Sequence, residues 1–204
     1  MKRYMFIVLS ILGLFLFIFG FYGLLSQKKA DNGVNDISID TLSSSFQLSD
    51  NERKGQQFED YIISRFAPAD YSLVEKVNDY TSRHHVTERS KYADLVFRKI
   101  ATGEEFAVEC KYRSGWIESK GKPALFWVNQ KKIDDYNQFS ADRDIDVIVV
   151  FGVGGTPDHP EEVFSLPLRL LQKPLPQYQD FLRSFKVADE SLEYNARQHN
   201  LTTI

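Results

Sequence analysis

The pattern of apolar and polar positions begins with a long uncharged segment. Residues Tyr4 to Leu25 form 22 consecutive positions without a charge, rich in Phe, Leu and Ile. About 20 apolar residues are enough for a helix to cross a bilayer. The pattern predicts one transmembrane helix over residues 4–25, embedded in lipid, and we expect a single-pass protein of the bacterial inner membrane.

A secretory signal peptide is the alternative interpretation of this segment, because Lys2 and Arg3 precede it. Signal peptides have shorter apolar regions, of about 7–15 residues, followed by a cleavage site between small residues. This segment is longer and no convincing cleavage site follows it, so we favour a membrane anchor. Lys2 and Arg3 on one side are balanced by Lys28 and Lys29 on the other. The positive-inside rule therefore leaves the side of the soluble part undetermined.

Polar residues dominate the next segment, residues 26–50, which is rich in Ser, Asp and Asn. This composition predicts a flexible tether whose ends lie about 25–30 Å apart on average. The folded domain is expected over residues 51–172, and a C-terminal extension over residues 173–204.

Within the domain, stretches of helical spacing alternate with stretches of strand character. Phe58, Tyr61, Ile62 and Phe66 recur at helical spacing and predict an amphipathic helix over residues 52–66. The predicted strands cover residues 71–77, 93–99, 105–112, 146–152 and 163–166. Further helices are predicted over residues 129–139 and 177–185, and a polar loop over residues 114–122. This order predicts an α/β domain with one mixed central sheet flanked by helices.

Charge and cysteine content narrow the classes of function. The net charge is −3 and the pI is about 5.8, so no global basic field draws the chain onto nucleic acid. Any site for a polyanion must be local. The single cysteine, Cys110, excludes an internal disulfide.

Two acids and a lysine stand out because they lie in predicted strands, where an unpaired charge is costly. Glu109 and Lys111 are two apart and therefore project from the same face of their strand. A two-residue hairpin loop at Thr102-Gly103 would place Asp94 opposite Lys111, and a four-residue loop would place it opposite Glu109. Either even loop brings all three residues onto one face, whereas an odd loop without a bulge would separate them.

This combination of charges suits a divalent metal and a phosphate. Two carboxylates on neighbouring strands form a minimal oxygen cradle for Mg²⁺, which keeps several waters and completes its shell with phosphate oxygens. The metal would stabilise charge on the attacked phosphate. A nearby lysine would orient the attacking water or neutralise charge at phosphorus.

At these residues the chain resembles the PD-(D/E)xK nuclease superfamily, which has the restriction-endonuclease-like fold. Asp94 matches the motif aspartate, Glu109-Cys110-Lys111 matches the (D/E)xK triplet, and Glu59 matches an acid on the first core helix. The resemblance covers residues 53–171 and is nearest to the Mrr-like or Holliday-resolvase-like groups. It implies hydrolysis of DNA with Mg²⁺, or Mn²⁺ in its place. Asp94 and Glu109 would be catalytic metal ligands, Lys111 would assist the nucleophile, and Glu59 would be an auxiliary ligand.

The chain departs from the family pattern at two places. Ala93 stands where many members have proline, and the Gln-xxx-Tyr motif found in some members is absent, because Gln130 and Tyr136 are six apart. Gln130 and Lys132 are nevertheless expected near the site from the following helix.

A local basic segment over residues 111–132 is the expected contact for nucleic acid, with two interleaved tryptophans for stacking on bases or sugars. Its expected phosphate contacts are Arg113, Lys120, Lys122, Gln130 and Lys132. A solvated loop with tryptophans in the core is an equal alternative.

Three further alternatives stay open. Glu109 and Lys111 would be a solvent-facing pair if their strand lay at an edge, and Glu59 would be an ordinary solvated residue. The whole domain would be a non-catalytic nucleic-acid-binding or protein-interaction module on the same fold, which the acidic pI favours. A homodimer is expected by analogy with enzymes that cut both strands, although no residue here indicates one.

Overall fold

The computed structural model describes residues 49–77 and 92–203. Its helices are α1 (Asp50–Ser64), α2 (Gln130–Arg143) and the short α3 (Gln179–Leu182). Its strands are β1 (Tyr71–Lys76), β2 (Leu95–Lys99), β3 (Glu105–Arg113), β4 (Ile117–Ser119), β5 (Lys122–Leu125), β6 (Asp146–Val153), β7 (Glu162–Pro167), β8 (Gln177–Tyr178), β9 (Lys186–Val187), β10 (Leu192–Asn195) and β11 (Asn200–Thr203). The predicted transmembrane helix over residues 4–25, and nearly all of the tether, lie outside the described residues.

None of the helices in residues 49–77 and 92–203 is both long and apolar enough to cross a membrane.

The first helix begins with a capping box. The Ser49 hydroxyl accepts a hydrogen bond from the Glu52 amide, and the Glu52 carboxylate accepts one from the Ser49 amide at 2.7 Å. Together they satisfy two of the free N–H groups at the helix start. Phe58 and Ile62 are fully buried against the sheet, so the predicted amphipathic helix is confirmed, two residues earlier at each end.

A six-stranded sheet forms the centre of the domain, in the order β1-β2-β3-β6-β7-β9. Only β3 and β6 are parallel, and the other neighbours are antiparallel. The predicted α/β class with a mixed central sheet flanked by helices is therefore confirmed.

Side chains alternate between two cores on the two faces of this sheet. Ile148 and Val150 of β6 pack on the side of α1, while Val149 and Phe151 pack on the side of α2. Because both faces of β6 are covered, the strand is apolar along its length. At Gly152 an added Cβ would overlap the Phe58 ring, so the glycine allows α1 to lie directly on the sheet.

The hairpin of β2 and β3 has an even loop. Leu95 pairs with Val108 and Arg98 with Glu105, and the Lys99 amide donates to the Glu104 carbonyl at 2.8 Å. Four residues, 100–103, therefore form the loop, and Gly103 has the left-handed φ of 76°. Extending this register by one residue places Asp94 opposite Glu109, as the four-residue alternative predicts.

Two segments differ from the sequence prediction. Residues 114–122 were expected to be a loop, but β4 and β5 form a hairpin across them, with β8 alongside. Lys120 and Gly121 both have positive φ, 52° and 73°, which is the geometry of a two-residue type I′ turn. Residues 177–185, expected to be one helix, contain a single α-helical turn between β8 and a 3₁₀ turn.

The last part of the chain belongs to the core on the side of α1. Leu192, Tyr194 and Leu201 of the β10–β11 hairpin are buried there. Arg65, just after α1, holds this segment, since its guanidinium donates to the carbonyls of Ala188 and Glu190, both at 2.5 Å.

Candidate functional site

A cavity of about 520 Å³ lies where β2 begins. β3 continues for five residues beyond its last pairing with β2, from Glu109 to Arg113, and the last four of these residues line the cavity. The lining includes three predicted site residues, Glu59, Asp94 and Lys111, together with the start of α1.

Asp94 is held at the cavity by the backbone of the neighbouring strand. Its carboxylate Oδ2 accepts a hydrogen bond from the Cys110 amide at 2.8 Å, which satisfies a donor of β3 beyond the end of the ladder. Burial, and then the nearby Glu109 carboxylate, raise the pKa of Asp94 well above its ordinary value, although Lys111 opposes the shift. The charged form of Asp94 is therefore unfavourable until a cation joins the site.

Glu109 and Lys111 form an ion pair on the same face of β3. Glu109 is only 1% exposed and pairs through Oε1 with the Lys111 ammonium. The other oxygen, Oε2, is buried and accepts no hydrogen bond from any described residue. An unsatisfied buried acceptor costs about 1–3 kcal/mol, and more when it is charged. The solvent-facing alternative for Glu109 is thus wrong.

Lys111 keeps its positive charge at this position. Burial alone would lower the pKa of its ammonium, but the carboxylates of Glu109 and Asp94 outweigh that effect and raise the pKa. The Lys111 side chain is 21% exposed, so it is both charged and accessible from the cavity.

Glu59 approaches the cavity from the helix on the other face of the sheet. Glu59 Oε2 lies 3.4 Å from the Lys76 ammonium without forming a hydrogen bond to it. Lys76 also pairs with Asp60 at 2.6 Å. Burial raises the pKa of Glu59, and Lys76 opposes the shift. Glu59 is 5% exposed, so it is not the ordinary solvated residue of the alternative interpretation.

The described residues contain no group of three or more His, Cys, Asp or Glu side chains arranged to hold a metal ion. The role of Glu59 as an auxiliary ligand stays a prediction. Glu59 lines the cavity together with Asp94, and its charge is among the influences that raise the pKa of Asp94, whereas the alternation of β3 places Glu109 on the face opposite the one covered by α1. Asp94 and Glu109 alone still fit a hard divalent cation, because both offer carboxylate oxygens and one of these is buried without a partner.

Of the predicted nucleic-acid contacts, only Arg113 is among the residues lining the cavity. Its guanidinium donates to three backbone carbonyls, of Tyr112 at 2.8 Å, Phe126 at 3.1 Å and Trp127 at 3.2 Å. Burial lowers the pKa of Arg113. The hydrogen bonds of the Arg113 guanidinium therefore link β3 to the segment before α2.

The other four predicted contacts lie elsewhere. Lys120 and Lys122 flank the turn between β4 and β5. Gln130 donates to the Asp134 carboxylate at 2.9 Å, and the Lys132 ammonium lies over the Tyr136 ring, 4.9 Å from its centroid. The structure does not bring these four residues into the cavity.

The two tryptophans pack in or against the core on the side of α2. Trp127 is 5% exposed in the core on the side of α2. Trp116 is partly buried against the same core, and its indole N–H donates to Glu162 at 3.2 Å. The alternative of core aromatics is therefore confirmed for Trp127, and stacking of Trp127 on nucleic acid is wrong.

Sequence reasoning missed two lysines at this site. Lys76 pairs with Glu59, and Lys54 lines the cavity from α1. The sequence carried no signal for Lys54, because a residue five positions before Glu59 does not share its helix face. Lys76 had no signal either, since its contact joins a strand to a helix.

Comparison with known proteins gives a match among solved structures but none among family models or curated proteins. Among solved structures, the chain is similar to Hjc of Archaeoglobus fulgidus, a Holliday junction resolvase from an archaeal hyperthermophile. The match has 12% identity and a TM-score of 0.45, and it covers 64% of this chain and 93% of that chain.

A match with a TM-score of 0.45 at 12% identity carries no argument about function. Any functional conclusion must rest on the geometry and chemistry of the cavity.

Proposed function

We propose that this chain is a membrane-anchored nuclease that hydrolyses phosphodiester bonds of DNA with Mg²⁺ or Mn²⁺. The observation that carries the proposal is the cavity at the start of β2, which Asp94 and Lys111 line and beside which the buried Glu109 pairs with Lys111. A buried carboxylate oxygen that has no partner among the described residues, next to a second carboxylate with a raised pKa, is costly for a protein that uses them only for stability.

A divalent cation would be held by Asp94 and the free Oε2 of Glu109. When bound, it would supply stabilisation of negative charge on the attacked phosphate. Hard oxygen ligands of this kind suit Mg²⁺, which retains several waters and needs few protein ligands. Glu59 lines the cavity from α1 and is proposed as an auxiliary ligand of the same cation.

Lys111 is proposed to act as a fixed positive charge and not as a base. Its raised pKa keeps the ammonium protonated at neutral pH, so it does not accept a proton from the attacking water. In hydrolysis a water oxygen bonds to phosphorus, the bridging P–O bond breaks, and the leaving oxygen takes a proton. Lys111 would donate hydrogen bonds to the phosphate oxygens on which charge develops.

The membrane part of the proposal is supported by the 22 uncharged residues from Tyr4 to Leu25. A helix of that length spans a bilayer. The tether over residues 26–50 would then keep the nuclease domain close to the bilayer surface.

Metal titration into the full-length protein, purified in a mild detergent, separates the nuclease from a binding module on the same fold. We expect Mn²⁺ to bind the wild type and to bind Glu109→Gln much more weakly. Glu105→Gln is the matched control, because Glu105 lies on the same strand and face but pairs with Arg98. Equal binding by all three proteins, or none by the wild type, would reject the metal site and favour the non-catalytic module.

Cleavage of plasmid and branched DNA in Mg²⁺ or Mn²⁺ tests the catalytic step. If wild type and Lys111→Ala cut at the same rate while both are folded, the role given to Lys111 fails.

A further inference from the structure

The basic side chains that line the cavity differ in the partners to which they are already bound. Lys111 is paired with the buried Glu109, and Arg113 is bound to three backbone carbonyls. Among residues 49–77 and 92–203, the ion-pair partner of Lys54 is Asp50, at 2.6 Å, and the two side chains are 38% and 59% exposed.

The pair between Lys54 and Asp50 is easy to exchange. An exposed pair with this spacing on a helix contributes little to stability. Asp50 is also bonded to Arg53 at 2.5 Å, so it keeps a cationic partner when Lys54 moves. A phosphate group can therefore replace Asp50 as the partner of Lys54 at small cost.

The position of Lys54 fits a phosphate beside the reacting one. Lys54 precedes Glu59 by five residues, which is about 7.5 Å along the helix axis. Asn51 and Gly55 of the same helix also line the cavity. Lys54 thus contributes to the α1 side of the cavity, while Asp94 and Lys111 line it from the sheet.

We propose that Lys54 binds a non-reacting backbone phosphate of the nucleic acid and thereby positions the strand for cleavage at Asp94, Glu109 and Lys111. This inference rests on the proposed nuclease function. It assigns the main phosphate contact to α1, in place of the basic segment over residues 111–132. Since the contact is to the backbone, it carries no base preference.

Arg53 provides a matched control for Lys54. Both residues are exposed cations of α1 that pair with Asp50, but only Lys54 lines the cavity. We expect Lys54→Gln in the full-length protein to weaken metal-free binding of DNA equally for all sequences. The slope of log Kd against log salt should become shallower by about 0.9, the value for one lost phosphate contact.

Kinetics give a second readout. Lys54→Gln should raise KM in Mg²⁺-dependent cleavage and leave kcat unchanged, whereas Arg53→Gln should match the wild type in slope and KM. Lys54→Arg should restore binding, because it restores the charge. In urea unfolding followed by tryptophan fluorescence, both glutamine variants should have the same midpoint as the wild type, as expected for surface substitutions.

The possible failures are distinguishable. If the wild type binds and cuts DNA but Lys54→Gln behaves like Arg53→Gln, the phosphate contact is overturned and the nuclease proposal stands. If the wild type binds DNA without cutting it and only Lys54→Gln changes the salt slope, the nuclease proposal fails and the contact stands. If the wild type does neither, both are overturned.

Discussion

Replacing Lys111 with alanine should destabilise the domain strongly, because it leaves the Glu109 charge buried without a partner. Glu109 is 1% exposed, and its Oε2 already accepts no hydrogen bond from the described residues. Removing one partner of a buried pair costs about 3–5 kcal/mol. Since the Lys111 side chain is 21% exposed and water reaches one end of the pair, we expect about 3 kcal/mol.

Urea unfolding followed by tryptophan fluorescence measures this cost in the full-length chain. Both tryptophans of the sequence, Trp116 and Trp127, pack on the core beside α2, so their emission reports on this domain alone. Lys99→Ala is the control, because Lys99 pairs at 3.2 Å with the 42% exposed Glu193. That substitution should cost less than about 1 kcal/mol.

The double variant Lys111→Ala with Glu109→Gln tests the physical reason. If the cost comes from an uncompensated charge, the neutral glutamine should recover much of the stability lost in Lys111→Ala. The reasoning is refuted if Lys111→Ala costs no more than Lys99→Ala, or if the double variant is less stable than Lys111→Ala.

Three further predictions follow from the same structure. Asp94→Asn should stabilise the metal-free protein at neutral pH. The pKa of Asp94 in the folded state is raised above 3.8, so the free energy of unfolding of the wild type falls as pH rises from 3.8 to that pKa. In urea unfolding, the difference in stability between wild type and Asp94→Asn should therefore shrink in acid. A difference that grows in acid would contradict this. Gly152→Ala should cost about 1–3 kcal/mol by overpacking against Phe58, whereas Gly115→Ala, which meets no atom within 4 Å, should be neutral in the same assay. The segment over residues 4–25 should hold the protein in the membrane fraction against alkaline carbonate, and a reporter at the C-terminus should fix the side of the nuclease domain; release by carbonate would reject the anchor.

The sequence predicted the site well where strand alternation decides geometry. Glu109 and Lys111 share a face because they are two apart, and Asp94 joins them because the hairpin loop is even. Sequence could not choose between a two-residue and a four-residue loop, since both end near Thr102-Gly103. The choice depends on the pairing of Lys99 with Glu104, which closes the longer loop.

Other features were hidden because they depend on contacts between distant parts of the chain. The pair of Glu59 with Lys76 was not predicted, because it joins α1 to the end of β1. The hairpin of β4 and β5 was missed because its strands are only three and four residues long. Its turn also requires Lys120, a residue without special turn preference, to adopt positive φ.

Metal-dependent DNA cleavage by wild type and Asp94→Asn shows directly whether Asp94 belongs to a catalytic metal site. Asp94→Asn is expected to be folded and more stable than wild type, so lost activity cannot be ascribed to unfolding. With supercoiled plasmid and branched DNA, we predict cleavage by the wild type only when Mg²⁺ or Mn²⁺ is present. We predict a loss of about 100-fold or more in Asp94→Asn, comparable to removing one electrostatic contact from an active site. Equal cleavage by the two proteins, or none by the wild type with either metal, would contradict the account.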